Sequence, residues 1–163
     1  MTALKLLAAA GAIALTAISA LAQTTPPPYG PPIGIENARK VMAAAEAEAV
    51  KNNWAVVISI VDSGANLVML QKLDNAQHGS VSIATGKATT AVNLRRPTKA
   101  LQDSIAQGGG NLRLLAVRDV TPLEGGIPII VDGKIIGGIG VSGVTSEQDA
   151  QIAAAGAAAA AAK

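Results

Sequence analysis

The sequence predicts an α+β domain in which one antiparallel sheet is flanked by helices. Two pairs of apolar segments are each joined by a short turn sequence, which is the pattern of a β-hairpin. Four further segments have helical character, so that the order along the chain is helix, hairpin, two helices, hairpin, helix. Because the strands of a hairpin pair antiparallel, this order excludes a doubly wound parallel sheet.

The first helix and the first hairpin follow the N-terminal region. From Ile35 onward apolar residues recur every three or four positions, and an Asn-Asn pair ends the pattern. The runs Trp54–Val61 and Leu67–Leu70 flank turn residues 62–66 and therefore predict two paired strands. The apolar positions of the helix are Ile35, Ala38, Met42, Ala45 and Ala49.

Two helices are predicted after the hairpin. Residues Ser80–Leu94 resume helical spacing, and Pro97 ends this helix because proline forces the preceding residue out of the helical region. Residues Thr98–Gln107 predict a shorter helix, which the glycines at 108–110 end in left-handed geometry. The apolar stripe of the longer helix is Val81, Ala84, Ala88 and Ala91.

Asp132-Gly133 is the strongest hairpin signal in the chain. It separates the apolar run Ile127–Val131 from the run Lys134–Ile139. A two-residue type I′ turn needs positive φ at both positions, which Asp-Gly tolerates. The sequence therefore predicts a second hairpin there.

The last helix is predicted to begin at a capping box. Thr145 lies three residues before Gln148, and the helix continues into the alanine-rich tail Ala153–Lys163. A nearly uncharged alanine helix would leave an apolar face exposed on a monomer. We therefore expect a homo-oligomer.

Residues 1–22 are typical of a secretory signal peptide. A short segment with Lys5 precedes the uncharged run Leu6–Ala20, and the Ala-Leu-Ala at positions 20–22 fits signal-peptidase cleavage before Gln23. The alternative, a membrane anchor, needs about 18 to 20 strongly apolar residues, and this run is shorter and rich in alanine. We expect a periplasmic or secreted protein without stable membrane insertion after cleavage.

Residues 23–34 are predicted to form an extended proline-rich tether with no packed element. Five of the eight prolines lie in this segment. The folded domain is then expected to span residues 35–163, and a chain of 163 residues has the length of one globular domain.

Composition excludes several classes of site. The chain has no cysteine, which excludes disulfide scaffolds, cysteine-based zinc sites and thiol nucleophiles. Lys and Arg number 13 against 11 Asp and Glu, a balance too even for a nucleic-acid-binding face. With one tryptophan, one tyrosine and no phenylalanine, the core must be aliphatic.

The segment Gly138–Gly143 matches the pattern G-x-G-x-x-G between a predicted strand and a predicted helix. A dinucleotide site would need a further strand and an acidic residue about 20 positions on, but the chain runs out in alanine and ends at Lys163. We therefore interpret these glycines as positions where a strand end closely approaches a neighbouring helix.

His78 is the single histidine and stands just before a predicted helix. One axial bond to a tetrapyrrole iron needs only one imidazole, so His78 is a candidate metal ligand; the alternative is an ordinary surface histidine. As a general base for a nearby serine it would need an orienting carboxylate such as Asp62 or Asp74, and no G-x-S-x-G motif is present. Hydrolase chemistry is therefore not expected, and no catalytic residue is assigned.

Lys87 lies next to the apolar stripe of its helix and not opposite it. Its ammonium can meet a carboxylate at the edge of a site, or the side chain can extend to solvent. The acidic partners that the sequence suggests are Asp62, in a turn, and Glu124, beside Gly125 and Gly126. Taken singly, Asp62 fits an Asx-turn and Glu124 a solvated loop carboxylate.

Six short motifs lie in order over residues 35–156. They are Val61-Asp62-Ser63-Gly64, the helix segment Ser80–Thr90 with Gly86-Lys87-Ala88, Pro97-Thr98, Pro122-Leu123-Glu124-Gly125-Gly126-Ile127-Pro128, Gly140-Val141-Ser142-Gly143 and Glu147-Gln148-Asp149. Together they resemble the GlcG/HbpS family of haem-binding proteins, which is related to the C-terminal domain of PduO-type proteins.

The resemblance implies a profilin-like or PAS-like α+β domain that forms homo-oligomers and, in some members, binds haem or a related corrinoid. The expected function is then that of an exported haem-binding protein, sensing or carrying haem without catalysis of its own. The cofactor-binding residues that the sequence itself suggests for such a function are His78 as the iron ligand, with Lys87, Asp62, Glu124, Gly125 and Gly126.

Two other functions stay open beside the haem hypothesis. One is a corrinoid- or metabolite-binding protein or enzyme that uses a cleft with Asp62, Lys87 and Glu124. The other is a scaffold that binds a protein partner and no ligand. In the haem hypothesis Lys87, Arg95 or Arg96 is available for the propionates.

Overall fold

The computed structural model describes residues 25–161. The predicted signal peptide, residues 1–22, lies outside these residues. The elements are α1 Ile35–Lys51, β1 Val57–Asp62, β2 Leu67–Lys72, α2 Ser80–Asn93, α3 Lys99–Ala106, the 3-10 helix η1 Gly109–Ala116, β3 Gly126–Val131, β4 Lys134–Ser142 and α4 Ser146–Ala159.

The four strands form one antiparallel sheet in the order β2-β1-β4-β3. Each predicted hairpin is present, and β1 and β4 join the two hairpins in the centre of the sheet. The predicted α+β fold, an antiparallel sheet flanked by helices, is therefore confirmed.

Helices cover both faces of the sheet. On one face, Ile58 and Ile60 of β1 pack in a core cluster with α1 and α4. On the other face, Val57 and Val61 pack with apolar residues of α2. Because successive side chains of a strand point to opposite faces, this alternation places α2 across the sheet from α1 and α4.

The glycines of β4 allow α2 to lie directly on the sheet. A Cβ atom added at Gly138 would lie 2.7 Å from Val92, and one added at Gly140 would overlap the carbonyl of Ala84. The interpretation of Gly138–Gly143 as a close approach between strand and helix is confirmed for these two positions. Most of this segment lies inside β4, which extends to Ser142.

Two local predictions at the chain turns are confirmed. Asp132 has φ 49° and Gly133 has φ 72°, as a type I′ turn requires. The capping box at the start of α4 is complete, since the Thr145 hydroxyl accepts from Gln148 N and the Gln148 side chain accepts from Thr145 N.

Two predicted core positions are wrong. Ile35 is 47% exposed and Val81 is 37% exposed, whereas Val41, which the pattern did not assign, is fully buried. Ile35 is the first residue of α1, and Val81 is the second residue of α2. The 3-10 helix η1 is also absent from the sequence-based prediction.

Part of the predicted tether is packed. Gly30 N donates to Ile135 O at 2.8 Å, and Ile33 N donates to Ile136 O at 2.8 Å. The last β1–β4 pair is Asp62 with Gly137, so β1 does not pair with the first residues of β4. The backbone groups there are free to bind the N-terminal segment. The expectation of no packed element is therefore wrong for residues 28–33.

The alanine-rich helix α4 packs within its own chain. Ile152, Ala153 and Gly156 are buried, and α4 contacts α1, β3 and β4. The apolar face that we expected to be exposed is thus covered, and the homo-oligomer stays a prediction without that support. Within residues 25–161 no helix is long and apolar enough to cross a membrane.

Candidate functional site

A buried ion pair links α2 to α4 through the end of β4. Lys87 Nζ donates to Asp149 Oδ2 at 2.7 Å and to the carbonyl oxygen of Val141 at 2.8 Å. The side chains of Lys87 and Asp149 are only 2% and 3% exposed. The expected acidic partners, Asp62 and Glu124, are therefore wrong as partners of Lys87.

Asp149 is held in place by the start of α4. Its Oδ1 accepts from Val144 N at 3.2 Å, and it lies in the first helical turn, where a carboxylate is favoured by the helix dipole. Burial raises the pKa of the Asp149 carboxyl, and hydrogen bonding and charge from Lys87, with the N–H groups of Val144 and Gly143, oppose that rise.

Gly125 and Gly126 fit closely around Lys87. Gly125 has φ 119°, and a Cβ added to it would lie 2.8 Å from Lys87 Nζ and 2.9 Å from Val141 O. A Cβ added at Gly126 would overlap the carbonyl of Lys87. Gly126 N also donates to Thr98 Oγ1 at 2.9 Å. In this structure the glycine pair makes room for the lysine.

Glu124 is bound to α3 instead of to Lys87. Its backbone N donates to Gln102 Oε1 at 2.8 Å, and its Oε2 lies 3.8 Å from Lys99 Nζ. The residue is 8% exposed, so it is not the solvated loop carboxylate that was one interpretation. Lys87 contacts the two glycines, whereas Glu124, which precedes them in the chain, has different polar partners from Lys87.

Asp62 forms an Asx-turn at the tip of the first hairpin. Its Oδ1 accepts from Gly64 N at 2.8 Å and from Asn66 N at 2.9 Å. Partial burial acts to raise the pKa of Asp62, but the hydrogen bonds from Asn66 and Gly64 outweigh it and hold that pKa below its usual value. Asp62 pairs with Gly137 of β4, whereas Lys87 binds the carbonyl of Val141, four residues further along that strand. The two side chains are therefore apart, and the proposed cleft of Asp62, Lys87 and Glu124 is not formed.

His78 lies apart from the buried pair. It is exposed in the turn before α2, and its carbonyl accepts from Val81 N. Arg95 and Arg96 follow the other end of α2, a helix of 14 residues and thus about 20 Å long. Arg95 lies 5.7 Å from the centre of the Tyr29 ring. One small ligand therefore cannot contact His78 and both arginines of the same chain.

Sequence reasoning missed Asp149. A buried lysine requires a carboxylate, and Asp149 lies in a motif that was recognised, Glu147-Gln148-Asp149. Local spacing gives no reason to choose it over Asp62 or Glu124, because only the β1–β4 pairing and the position of α4 bring it to Lys87.

The interior of the domain has no unfilled polar site within residues 25–161. Every buried side-chain nitrogen or oxygen there has a hydrogen-bond partner. No group of three or more His, Asp or Glu side chains in that part of the chain could hold a metal ion. The Lys87 ammonium is engaged and shielded from solvent, so its place is structural and it does not reach a propionate at the surface.

An open depression lies at the loop between β2 and α2. Its volume is about 390 Å³, and its lining includes Val50, Trp54, Leu73, Asp74 and Asn75. It contains the single tryptophan of the chain and lies on the loop that carries His78 three residues further on.

Comparison with known proteins gives three informative relatives. GlcG of Escherichia coli K12 is 42% identical over 105 residues, which cover 64% of this chain and 77% of GlcG. The Klebsiella pneumoniae protein ORFY has a TM-score of 0.78 at 32% identity and covers 82% of this chain and 94% of its own. A haem complex of PduOC has a TM-score of 0.72 at 31% identity and covers 78% of this chain and 94% of its own.

A family model described as haem degrading protein HbpS-like matches residues 33–158, nearly all of the described domain. This agrees with the motifs quoted from the sequence. The chain therefore belongs to the HbpS-like family, and is homologous to GlcG and to the C-terminal domain of PduO.

Proposed function

We propose that this protein is exported and binds haem without catalysing a reaction of its own. The observation that carries the proposal is the similarity to PduOC, whose structure is that of a haem complex, over 78% of the present chain. The description of the family as haem degrading names the same ligand and also a reaction on it, which this proposal does not include.

Three features of the loop between β2 and α2 support placing the haem site there. The depression there has about 390 Å³, within the range of about 300 to 1,000 Å³ for small-molecule sites. Trp54 and Leu73 supply a ring and an aliphatic surface, and the exposed imidazole of His78 is an ordinary axial ligand of haem iron. If haem binds here, His78 would hold the iron through its imidazole.

The propionates need an exposed cation on the same side of the domain. Lys87 is engaged by Asp149, and Arg95 and Arg96 follow the far end of α2. Lys72 is exposed at the end of β2 and pairs with Val57, whose side chain faces α2, so Lys72 lies on the same face of the sheet as the helix that His78 precedes. We assign Lys72 to a propionate, which a lysine ammonium binds as a point charge.

Titration of residues 23–163 with haemin, followed by the Soret band, tests the proposal. His78→Ala should shift the band and weaken binding by about tenfold or more, because it removes the iron ligand. Lys72→Ala should weaken binding while the band keeps its position, because a propionate contact does not touch the iron. Gln77→Ala, an exposed neighbour of His78, is the matched control and should bind like the wild type.

Substitution of both Arg95 and Arg96 by alanine separates this site from one at the other end of α2. If that variant loses haem binding while His78→Ala keeps the wild-type spectrum, the ligand lies near the arginines and the assignment is wrong. Progressive loss of the Soret band in the presence of a reductant and oxygen would contradict a function without catalysis.

Export rests on the sequence of residues 1–22 alone. N-terminal sequencing of the protein from the periplasm or medium should find Gln23 or a neighbouring residue at the start. An intact Met1 in the exported fraction would contradict cleavage.

A further inference from the structure

Two buried hydroxyl groups join the first residue of α2 to the last residue of β4. Ser142 Oγ donates to Ser80 Oγ at 3.0 Å, and both residues are buried. Ser80 begins α2 and Ser142 ends β4. We call these two residues the hydroxyl pair. It anchors the start of α2 to the sheet, two residues after His78.

The turn that contains His78 is also anchored on its other side. Ala76 is 4% exposed and belongs to a buried cluster with Val57 of β1 and Ala84 of α2. Residues 77–79 are exposed, and Ser80 is fully buried. His78 is therefore the middle residue of a short exposed segment whose two ends are fixed to the same face of the sheet.

Backbone hydrogen bonds connect this turn to the first turn of α2. Val81 N donates to His78 O at 3.3 Å, so His78 moves with the start of the helix. A hydrogen bond is directional, whereas apolar packing is not, so the hydroxyl pair fixes where α2 begins on the sheet. The next such contact, from Thr85 Oγ1 to Ser59 Oγ at 3.2 Å, lies more than one helical turn further on.

We propose that Ser80 and Ser142 are positioning residues that hold His78 in place to bind haem iron. The inference rests on the proposed function, because His78 is the iron ligand assigned there. A ligand residue that is ordered before binding loses less conformational entropy when it binds, so the complex is tighter. Both serines are buried, so they act through the turn and not by contact with haem at the surface.

Amide hydrogen exchange of residues 23–163 without haem tests the positioning by itself. The double variant Ser80→Ala/Ser142→Ala removes both hydroxyls, so neither is left buried and unpaired, and urea unfolding should show stability close to that of the wild type. The Val81 amide should nevertheless exchange about five to ten times faster relative to its intrinsic rate. The Leu94 amide, which donates to Thr90 O at the other end of α2, should keep its rate. An unchanged rate at Val81 would overturn the proposal.

Titration with haemin tests the consequence for the ligand. The double variant should bind haemin about three to ten times more weakly and with an altered Soret band, because the imidazole is held less uniformly. Thr98→Val is the matched control: Thr98 is buried beyond the other end of α2, and its Oγ1 accepts from Gly126 N at 2.9 Å. This variant should be less stable than the wild type but should bind haemin with the same affinity and spectrum.

Three results separate the positioning role from a general loss of stability and from the proposed function. Equal weakening by Thr98→Val and by the double variant would show an effect of stability, and the proposal would be wrong. It would also be wrong if the double variant bound haemin with the affinity and spectrum of the wild type. If the wild type bound no haemin, the proposed function would be wrong, whereas the exchange rate of Val81 would still decide whether the hydroxyl pair holds the turn.

Discussion

Lys87 Nζ lies 2.7 Å from Asp149 Oδ2, and the two side chains are 2% and 3% exposed. Lys87 is on α2 and Asp149 is on α4, so the pair connects helices on opposite faces of the sheet past the end of β4. Breaking such a pair leaves an unpartnered charge in the interior, which costs far more than the loss of an exposed pair.

Lys87→Met should destabilise the domain by about 3 to 5 kcal/mol, because Asp149 then stays buried without a cation. Urea unfolding measures the effect. Lys99→Met is the matched control: Lys99 pairs with Asp103 at 2.9 Å, but its side chain is 54% exposed, so the loss should be at most about 1 kcal/mol. If the two variants lost the same free energy of unfolding, the buried pair would contribute no more to stability than the exposed one.

Gly125→Ala should destabilise the domain by about 2 to 4 kcal/mol. The φ of 119° strains any residue with a Cβ, and that Cβ would lie 2.8 Å from Lys87 Nζ and 2.9 Å from the Val141 carbonyl. Gly79→Ala is the control, because nothing lies within 4 Å of the added atom and φ is −63°. Thermal unfolding measures both variants. Equal midpoint temperatures would contradict the expectation.

The features that the sequence predicted correctly are set by neighbours in the chain. The type I′ turn depends on Asp132-Gly133 alone, and the capping box depends on Thr145 and Gln148. These signals are local, so short windows of sequence contain them.

The features that it missed depend on contacts between distant residues. Lys87 and Asp149 are 62 positions apart in the chain. Residues 28–33 pack against the start of β4, and they can do so because β1 pairs with β4 only as far as Gly137. His78 lies just before the helix that contains Lys87, yet His78 is exposed and Lys87 is buried. Residue types alone cannot distinguish those two environments.

Asp62→Ala should lower stability at neutral pH by about 1 kcal/mol, because the Asx-turn loses its acceptor. The pKa of Asp62 is lowered in the folded state by hydrogen bonds from Asn66 and Gly64 that outweigh partial burial. Because the pKa of Asp62 is lower in the folded state, its carboxylate stabilises the fold at a pH above the pKa of the unfolded chain, which is about 4. That contribution is lost as the pH falls through the pKa of the folded state. The difference between variant and wild type should therefore shrink in acid. Asp74→Ala, in an exposed turn, is the control for the loss of a surface carboxylate at neutral pH.

The Lys87→Met variant should regain part of its stability in acid. Burial raises the pKa of Asp149 even with Lys87 beside it, and removal of the ammonium raises that pKa further. A carboxyl whose pKa is higher in the folded state stabilises the fold at a pH below its pKa in the unfolded chain. That contribution is lost as the pH rises through its pKa in the folded state. The free energy of unfolding of Lys87→Met should therefore increase as the pH falls from about 7 towards about 5.

The second substitution Asp149→Asn provides the control for this trend. In the Lys87→Met background it removes the titrating carboxyl and keeps the size of the side chain, so the pH dependence in that range should flatten. Urea unfolding of the single and double variants at both pH values measures the difference. If the two variants had the same slope, the pH dependence would come from other groups, and the Asp149 charge would not be what destabilises Lys87→Met.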